Sequence, residues 1–182
     1  ILKVRITGAA GTPGTTQPVT SLVFALSKGE RNDWVAQKAT ELGVQNIIFW
    51  QAERSIVKIQ DAGTRASKEK RWAKIAESAA KQSGQNVLPD VHTATGIIQL
   101  LDKLKGLSKP EDRIIFCSLS QHSMALHEII IDNSQIHLII GPEGDLSPIE
   151  EEEFNKAGFI PATLGPSVLR SETAAIAAVA MA

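Results

Sequence analysis

The chain has little cysteine and no long apolar run, and each lack excludes a class of protein. Cys117 is the single cysteine among 182 residues, which excludes an internal disulfide framework and a cysteine-built zinc site. No apolar run approaches the roughly 18 residues of a membrane span. Because no signal peptide is present either, we expect a cytoplasmic protein. There is no initiator methionine, and Ile1 opens a strand-like segment, so we expect a piece of a longer protein.

Several common catalytic motifs are also missing. No GxGxxG follows a strand and no GxxxxGK[ST] occurs, so a dinucleotide fold and a P-loop have no support. The sequence lacks a GxSxG elbow, and the four histidines lack HExxH spacing, so no metal site is predicted. Cys117 falls in an apolar run, which favours a buried small hydrophobe over a nucleophile.

The composition is that of a globular protein, with 43% hydrophobic and 21% charged residues. The net charge of −1 does not indicate a nucleic-acid-binding protein, but the charges are unevenly placed. Residues 54–81 hold eight basic and three acidic side chains, whereas acidic residues cluster at 143–153. This asymmetry indicates either an anionic partner on one side or a solvated helix face.

Short apolar runs alternate with helical patterns after residue 18, which predicts an α/β fold with a parallel sheet covered on both faces. Strands are predicted at residues 21–26, 46–50, near 91, 113–118, 136–140 and 160–164. Helices are predicted from a cap at Asn32 or Asp33 to Gly43, at 67–83, at 96–104, from the capping box Ser147-Pro148-Ile149-Glu150 to Gly158, and at 170–182. Trp34 and Trp72 fall on apolar helix stripes and are predicted to lie in the core.

Polar, glycine-containing segments follow three of the predicted strands, at residues 27–29, 141–144 and 165–166. Ligands bind beyond the carboxyl ends of strands in open α/β sheets, which makes these segments candidate ligand loops. Turns of this composition are also common without any ligand, so both interpretations stay open.

The most specific pattern lies in the last third of the chain. Gly141-Pro142-Glu143-Gly144 is followed by Ala157-Gly158-Phe159, Leu164-Gly165-Pro166, Val168-Leu169-Arg170 and Glu172-Thr173-Ala174-Ala175. This order resembles the RsmE family, the ribosomal RNA small subunit methyltransferase E enzymes of the SPOUT superfamily. Upstream segments such as Glu53-Arg54-Ser55 and Lys70-Arg71-Trp72 resemble it too. Asp145 stands where glycine often follows GPEG, and Ser171 where threonine is common.

The resemblance implies S-adenosylmethionine-dependent methylation of uridine N3 in 16S rRNA of the small ribosomal subunit. It also implies a homodimer and a SPOUT methyltransferase domain over residues 18–182 with a C-terminal trefoil knot. Residues 1–17 would be the tail of a PUA-like β-barrel domain with its linker. Because most of that barrel is absent here, we expect cofactor binding to be kept and RNA methylation to be weakened.

The resemblance also implies the cofactor-binding residues, which are Ile140, Gly141, Pro142, Glu143, Gly144, Leu164, Gly165, Val168, Leu169, Arg170 and Thr173. Ser118-Leu119-Ser120 is an additional candidate. Arg170 is the candidate for stabilising negative charge on the uracil oxygens, because a guanidinium offers fixed donors and stays charged. Its alternative role is an ion pair with Glu172 or with a partner subunit. Glu143 or Glu172 could take the proton, or either could only position a loop.

The candidates for contact with rRNA are Arg31, Lys38 and Arg54, with the basic helix of residues 68–81 as a further one. For each of these side chains, ordinary solvated charge is the alternative.

Two other functions remain open. One is SPOUT-type methylation of another RNA, such as 2′-O methylation of tRNA. The other is a non-catalytic RNA-binding or assembly module that retains the fold.

Overall fold

The computed structural model describes residues 19–118, 123–130 and 135–182, and these form one seven-stranded sheet in which every strand pair is parallel. The strands are β1 (Val19–Ala25), β2 (Asn46–Gln51), β3 (Asp90–Thr95), β4 (Arg113–Cys117), β5 (Met124–Ala125), β6 (Ile136–Ile140) and β7 (Ile160–Thr163). The helices are α1 (Arg31–Glu41), α2 (Ala62–Ser83), α3 (Gly96–Leu107), α4 (Leu126–Ile129), α5 (Pro148–Lys156) and α6 (Ser171–Met181). The predicted α/β fold is confirmed, while the segment 1–17 lies outside the described residues.

The strand order is β3-β2-β1-β6-β4-β7-β5. From β1 the chain builds the sheet outward through β2 and β3, and then returns to add β4, β6 and β7 on the other side of β1. A sheet with this change of direction leaves a crevice at the carboxyl ends of its strands near the reversal. The topology therefore places a candidate site beyond the ends of β1, β6 and β4.

Two apolar layers cover the sheet, one on each face, as the buried strands require. On one face α1, α2 and α6 pack over Phe24 and Phe49, and the ring of Trp72 lies 4.0 Å from that of Phe49. On the other face α3 and α5 cover Trp50 and Phe116, and the Phe154 ring packs against both at a tilt. The prediction that Trp72 lies in the core is confirmed, since its side chain is only 2% exposed.

The start of α1 differs from the prediction in two ways. Neither Asn32 nor Asp33 is the cap, because the helix begins at Arg31 and both lie inside it. The buried Asn32 amide bonds the backbone N–H and C=O of Ser27 instead. Trp34 is not in the core either, because it is 41% exposed, while Val35 and Ala39 form the buried face. The buried face of α1 is therefore rotated by about one residue from the predicted face. The buried amide of Asn32 ties the segment after β1 to the helix.

The other differences are smaller. Helix α2 begins at Ala62, five residues before the predicted start, because the Asp61 carboxylate caps it by accepting from the Thr64 N–H at 2.8 Å. The short elements β5 and α4 were not predicted, since two and four residues are too few to show a period. The capping box of α5 is confirmed, with the Ser147 hydroxyl and the Glu150 carboxylate each accepting from the other's backbone N–H.

Candidate functional site

A cavity of about 470 Å³ opens at the carboxyl edge of the sheet. Strands β4, β6 and β7 end in its wall at Cys117, Ile140 and Thr163. Two loops complete the wall: the β6 loop, residues 141–147, and the β7 loop, residues 164–170. Small-molecule sites commonly have volumes of about 300–1,000 Å³, so this cavity is large enough for a cofactor.

The β6 loop is a tightly closed turn. A Cβ on Gly141 would lie 3.2 Å from the Leu146 side chain, which leaves little room for any larger residue. The Asp145 N–H donates to the Pro142 carbonyl at 3.0 Å, and the Asp145 carboxylate accepts from the Leu146 N–H at 2.9 Å. Asp145 has a left-handed backbone with φ 62°, which suits glycine best and aspartate better than most residues. This geometry explains why an aspartate is tolerated where the resembled pattern often has glycine.

Arg54 holds the β6 loop from outside the cavity. Its Nη1 donates to the carbonyls of Gly144 and Leu146, at 2.9 and 3.0 Å. The buried Glu150 carboxylate accepts from the backbone N–H of Glu53 at 2.7 Å and so fixes the neighbouring turn. Arg54 was predicted to contact RNA, and in the structure it supports the β6 loop. Only its Nη1 takes part in this support.

The β7 loop presents apolar side chains to the cavity. Its first turn is held by the Thr163 hydroxyl, which accepts from the Gly165 N–H at 3.3 Å and donates to the Gly165 carbonyl. Gly165 has φ 127°, a conformation that side chains disfavour. Beyond it, Val168 is 76% and Leu169 37% exposed, and both line the cavity. These two side chains offer an apolar surface for a flat ligand group.

A charged corner closes the cavity beside α1. Arg31 forms an ion pair with Glu143 of the β6 loop, and its Nε lies 3.4 Å from the Glu172 carboxylate at the start of α6. The Arg170–Glu172 ion pair that was the alternative for Arg170 is therefore not formed. The Arg170 guanidinium has no ion-pair partner in the described part of the chain, and the residue is exposed in the cavity wall.

Cys117 and Ser118 lie in the wall at the end of β4. Burial raises the pKa of the Cys117 thiol to about 12, so the thiol stays neutral near pH 7 and is a poor nucleophile. The neutral thiol agrees with the prediction that Cys117 is not a nucleophile, although the residue is only half-buried. The Ser118 hydroxyl donates to the Glu151 carboxylate at 2.7 Å. The other two residues of that candidate segment, 119 and 120, lie outside the described residues.

Most of the predicted cofactor residues meet in this one cavity. Those that line it are Ile140, Gly141, Pro142, Glu143, Leu164, Gly165, Val168, Leu169 and Arg170. Gly144 and Thr173 do not line it: Gly144 faces Arg54, and Thr173 is exposed on α6. The wall also contains Arg31, Cys117, Ala162, Thr163, Asp145, Ser167, Ser171 and Ala174, which the sequence did not assign to it. The signal for several of these was their place at the carboxyl ends of β4 and β7.

The predicted RNA-contact residues do not form one group. Arg31 lines the cavity and is ion-paired, whereas Lys38 is half-buried on α1 and contacts both carboxylate oxygens of Glu41 at 2.9 Å.

Among the described residues there is no cluster of three or more side chains that could hold a metal ion. Within the same residues no helix is long and apolar enough to cross a membrane.

Comparison with known proteins places the cavity in a family. The RNA methyltransferase domain family matches residues 15–182. Ribosomal RNA small subunit methyltransferase E of Bacillus subtilis is 35% identical over 156 residues, which cover 84% of this chain and 60% of that protein. The chain thus spans less than two thirds of the length of that relative.

Solved structures give the same family and fold. A ribosomal RNA small subunit methyltransferase E of Neisseria gonorrhoeae, bound to S-adenosyl methionine, has a TM-score of 0.78 at 35% identity, covering 92% of this chain and 68% of that chain. A SpoU methyltransferase of Streptomyces viridochromogenes is only 12% identical with a TM-score of 0.59, covers 92% of this chain and 60% of that chain, and shares the fold alone. The family match and the similarity to the Neisseria gonorrhoeae structure together show that this chain belongs to the ribosomal RNA small subunit methyltransferase E family of RNA methyltransferases.

Proposed function

We propose that the protein methylates N3 of a uridine in 16S rRNA, with S-adenosylmethionine as the methyl donor. The observation that carries the proposal is the cavity built by the β6 and β7 loops, in a family whose gonococcal member is bound to S-adenosyl methionine. We also propose, as the family resemblance implies, that the protein is a cytoplasmic homodimer that acts on rRNA or the small ribosomal subunit.

The wall of the cavity fits this cofactor chemically. Leu164, Val168 and Leu169 supply the apolar surface that an adenine ring needs, and the backbone of Gly141 and Gly165 can approach polar ligand atoms closely. The Glu143 carboxylate can accept from an ammonium group. When bound, the cofactor supplies an electrophilic methyl group, so the protein has to position the base and manage one proton.

The proposed roles of the charged residues follow from where they lie. Loss of the N3 proton places negative charge on the uracil oxygens, and Arg170 is the cavity cation without an ion-pair partner in the described residues. Glu143 lines the cavity, whereas Glu172 lies behind Arg31 with 17% of its side chain exposed. We therefore favour Glu143 over Glu172 as proton acceptor, and we assign Glu172 to holding Arg31 in place.

The trefoil knot, the extent of the SPOUT domain and the homodimer are also proposals. We propose that the last two loops and α6 form the trefoil knot of a SPOUT domain over residues 18–182. Two observations support this: α6 returns to pack against α1, β1 and β6, and the family match starts at residue 15. A crystal structure that traces the chain continuously tests the threading, and sedimentation of the protein tests the homodimer.

The test of the function is methyl transfer from radiolabelled S-adenosylmethionine to 16S rRNA and to small ribosomal subunits, followed by identification of the methylated nucleoside. We expect 3-methyluridine. A 2′-O-methyl product would replace this proposal with the tRNA-type reaction. Cofactor binding without transfer to any RNA, also by the full-length protein, would leave a non-catalytic RNA-binding module.

A further inference from the structure

Four cations follow one another along the carboxyl edge of the sheet, outside the cavity. Lys28 follows β1, Arg54 and Lys58 follow β2, and Arg65 of α2 bonds the Thr95 hydroxyl at the end of β3. Because β6, β1, β2 and β3 are neighbouring parallel strands, these residues, called here the edge cations, lie on the same edge as the cavity. Strands about 4.8 Å apart give this row a length of about 10 Å from β1 to β3.

The edge cations keep their positive charge uncompensated. Arg54 and Lys58 donate only to backbone carbonyls, and the one acceptor of Arg65 is a hydroxyl. Lys28 is exposed at the start of the row. Within the described residues none of the four forms an ion pair, although Glu30, Glu53 and Asp61 are nearby in sequence. Four other surface cations differ from them, since Lys38, Arg71, Lys81 and Lys156 are each paired with a carboxylate.

The row is joined to the cavity through Arg54. Its side chain lies 3.7 Å from the position of a Cβ on Gly144, and its Nη1 holds the β6 loop. A guanidinium has five N–H donors, so Nε and Nη2 are left to bind an anion while Nη1 keeps the loop in place. Arg65 donates through Nη2 to the Thr95 hydroxyl, while its Nε is buried and therefore out of reach of a phosphate.

We infer that the edge cations bind the phosphate backbone of the RNA strand that leads to the cavity. This inference rests on the proposed function and deepens it, because it assigns the path of the substrate next to the reacting base. Phosphate contacts of this kind position the strand without reading its sequence. The edge cations differ from Arg31 and Lys38, two of the RNA candidates that the sequence offered, because the charges of Arg31 and Lys38 are compensated within the protein.

The test uses Lys58→Gln together with Arg65→Gln, since neither residue touches the cavity wall. Binding of a 16S rRNA transcript is measured between low and high salt. We expect weaker binding of RNA and a salt dependence whose slope falls by about 0.7 for each cation removed. Binding of S-adenosylmethionine by calorimetry should not change. Lys105→Gln, an unpaired cation on α3, is the matched control and should leave the slope unchanged.

Three outcomes would overturn the inference. One is an unchanged slope in the double variant, and another is no binding of RNA by the unaltered protein. The third is a slope that falls only with Lys74→Gln, which would place the strand on the exposed face of α2. If the double variant loses RNA affinity but the unaltered protein transfers no methyl group, the inference holds and the proposed function fails.

Discussion

Arg31 forms an ion pair with Glu143 across the mouth of the cavity, and this contact joins the first turn of α1 to the β6 loop. The same guanidinium lies 3.4 Å from Glu172 at the start of α6. One side chain therefore joins three segments that are far apart in sequence. Because the two Arg31 and Glu143 side chains are 33% and 46% exposed, solvent screens their attraction, and we assign the pair to positioning rather than to stability.

Replacing Glu143 by Gln should weaken binding of S-adenosylmethionine. The amide keeps the shape of the carboxylate but loses the negative charge that is proposed to accept from the ammonium group of the cofactor, and a charge-assisted hydrogen bond is about twice as strong as a neutral one. We expect the Kd to rise by about tenfold in calorimetry. Glu153→Gln, which removes a carboxylate paired with Lys156 on α5, is the control and should leave the Kd unchanged. Equal Kd values for both variants would remove Glu143 from cofactor binding and leave only its proposed role as proton acceptor.

Replacing Arg170 by Ala should separate binding from chemistry. The guanidinium is proposed to act on the uracil, so cofactor affinity should stay within about threefold, while loss of one group that stabilises developing charge lowers the rate by about 100-fold or more. Calorimetry measures the first quantity and methyl transfer to 16S rRNA the second. A variant that binds cofactor poorly and transfers methyl groups in proportion would show that Arg170 serves the cofactor instead.

The sequence predicted the fold well, because apolar runs and caps are local signals. Strand β6 was predicted with the bounds that the structure has, and the capping box of α5 has both of its hydrogen bonds. Trp34 was predicted wrongly, since neighbouring residues of a helix lie about 100° apart and a one-residue rotation exposes the ring. The cap of α1 was predicted at Asn32 or Asp33, yet Asn32 bonds the backbone of Ser27, which no local pattern indicates.

The loops of the candidate site could be predicted from the sequence, whereas its ion pairs could not. Glycine and proline after a strand indicated candidate ligand loops at Gly141 and Gly165, and the family resemblance added Val168; the structure brings all three into one cavity wall. The partner of Arg31 depends on how α1 packs against the β6 loop, which is a tertiary contact. The same holds for Arg54, whose predicted contact was with RNA and whose observed hydrogen bonds go to the loop.

Replacing Gly141 by Ala should disturb the cavity. The added Cβ would lie 3.2 Å from the Leu146 side chain, so the β6 loop must move or the leucine must repack. We expect a loss of about 1–3 kcal/mol in the free energy of unfolding, measured with urea, and weaker cofactor binding. Gly106→Ala is the matched control: it lies in α3 with open space around it, and should stabilise the protein by up to about 1 kcal/mol. If both variants behave alike, the packing at Gly141 does not limit the loop.

The buried His137 should make stability fall in mild acid. Its ring nitrogens contact the Ser21 hydroxyl at 2.9 Å and the Asp112 carboxylate at 3.2 Å, and burial lowers the pKa of His137 despite the opposing effect of Asp112. A lowered pKa means that the unfolded chain takes up a proton first. The contribution is therefore complete above pH 6.5, the unperturbed value, and is lost as the pH falls through the folded-state pKa.

Urea unfolding followed by tryptophan fluorescence at pH 7.5 and 5.5 measures this effect. The free energy of unfolding should drop less between these two pH values in His137→Gln than in the unaltered protein, even if the variant starts from a lower stability. His127→Gln, which changes an exposed histidine of α4, should keep the full drop. An equal drop in all three proteins would show that the pH dependence arises elsewhere. A larger drop in His137→Gln would mean that the ring is held as the cation, with Asp112 outweighing burial.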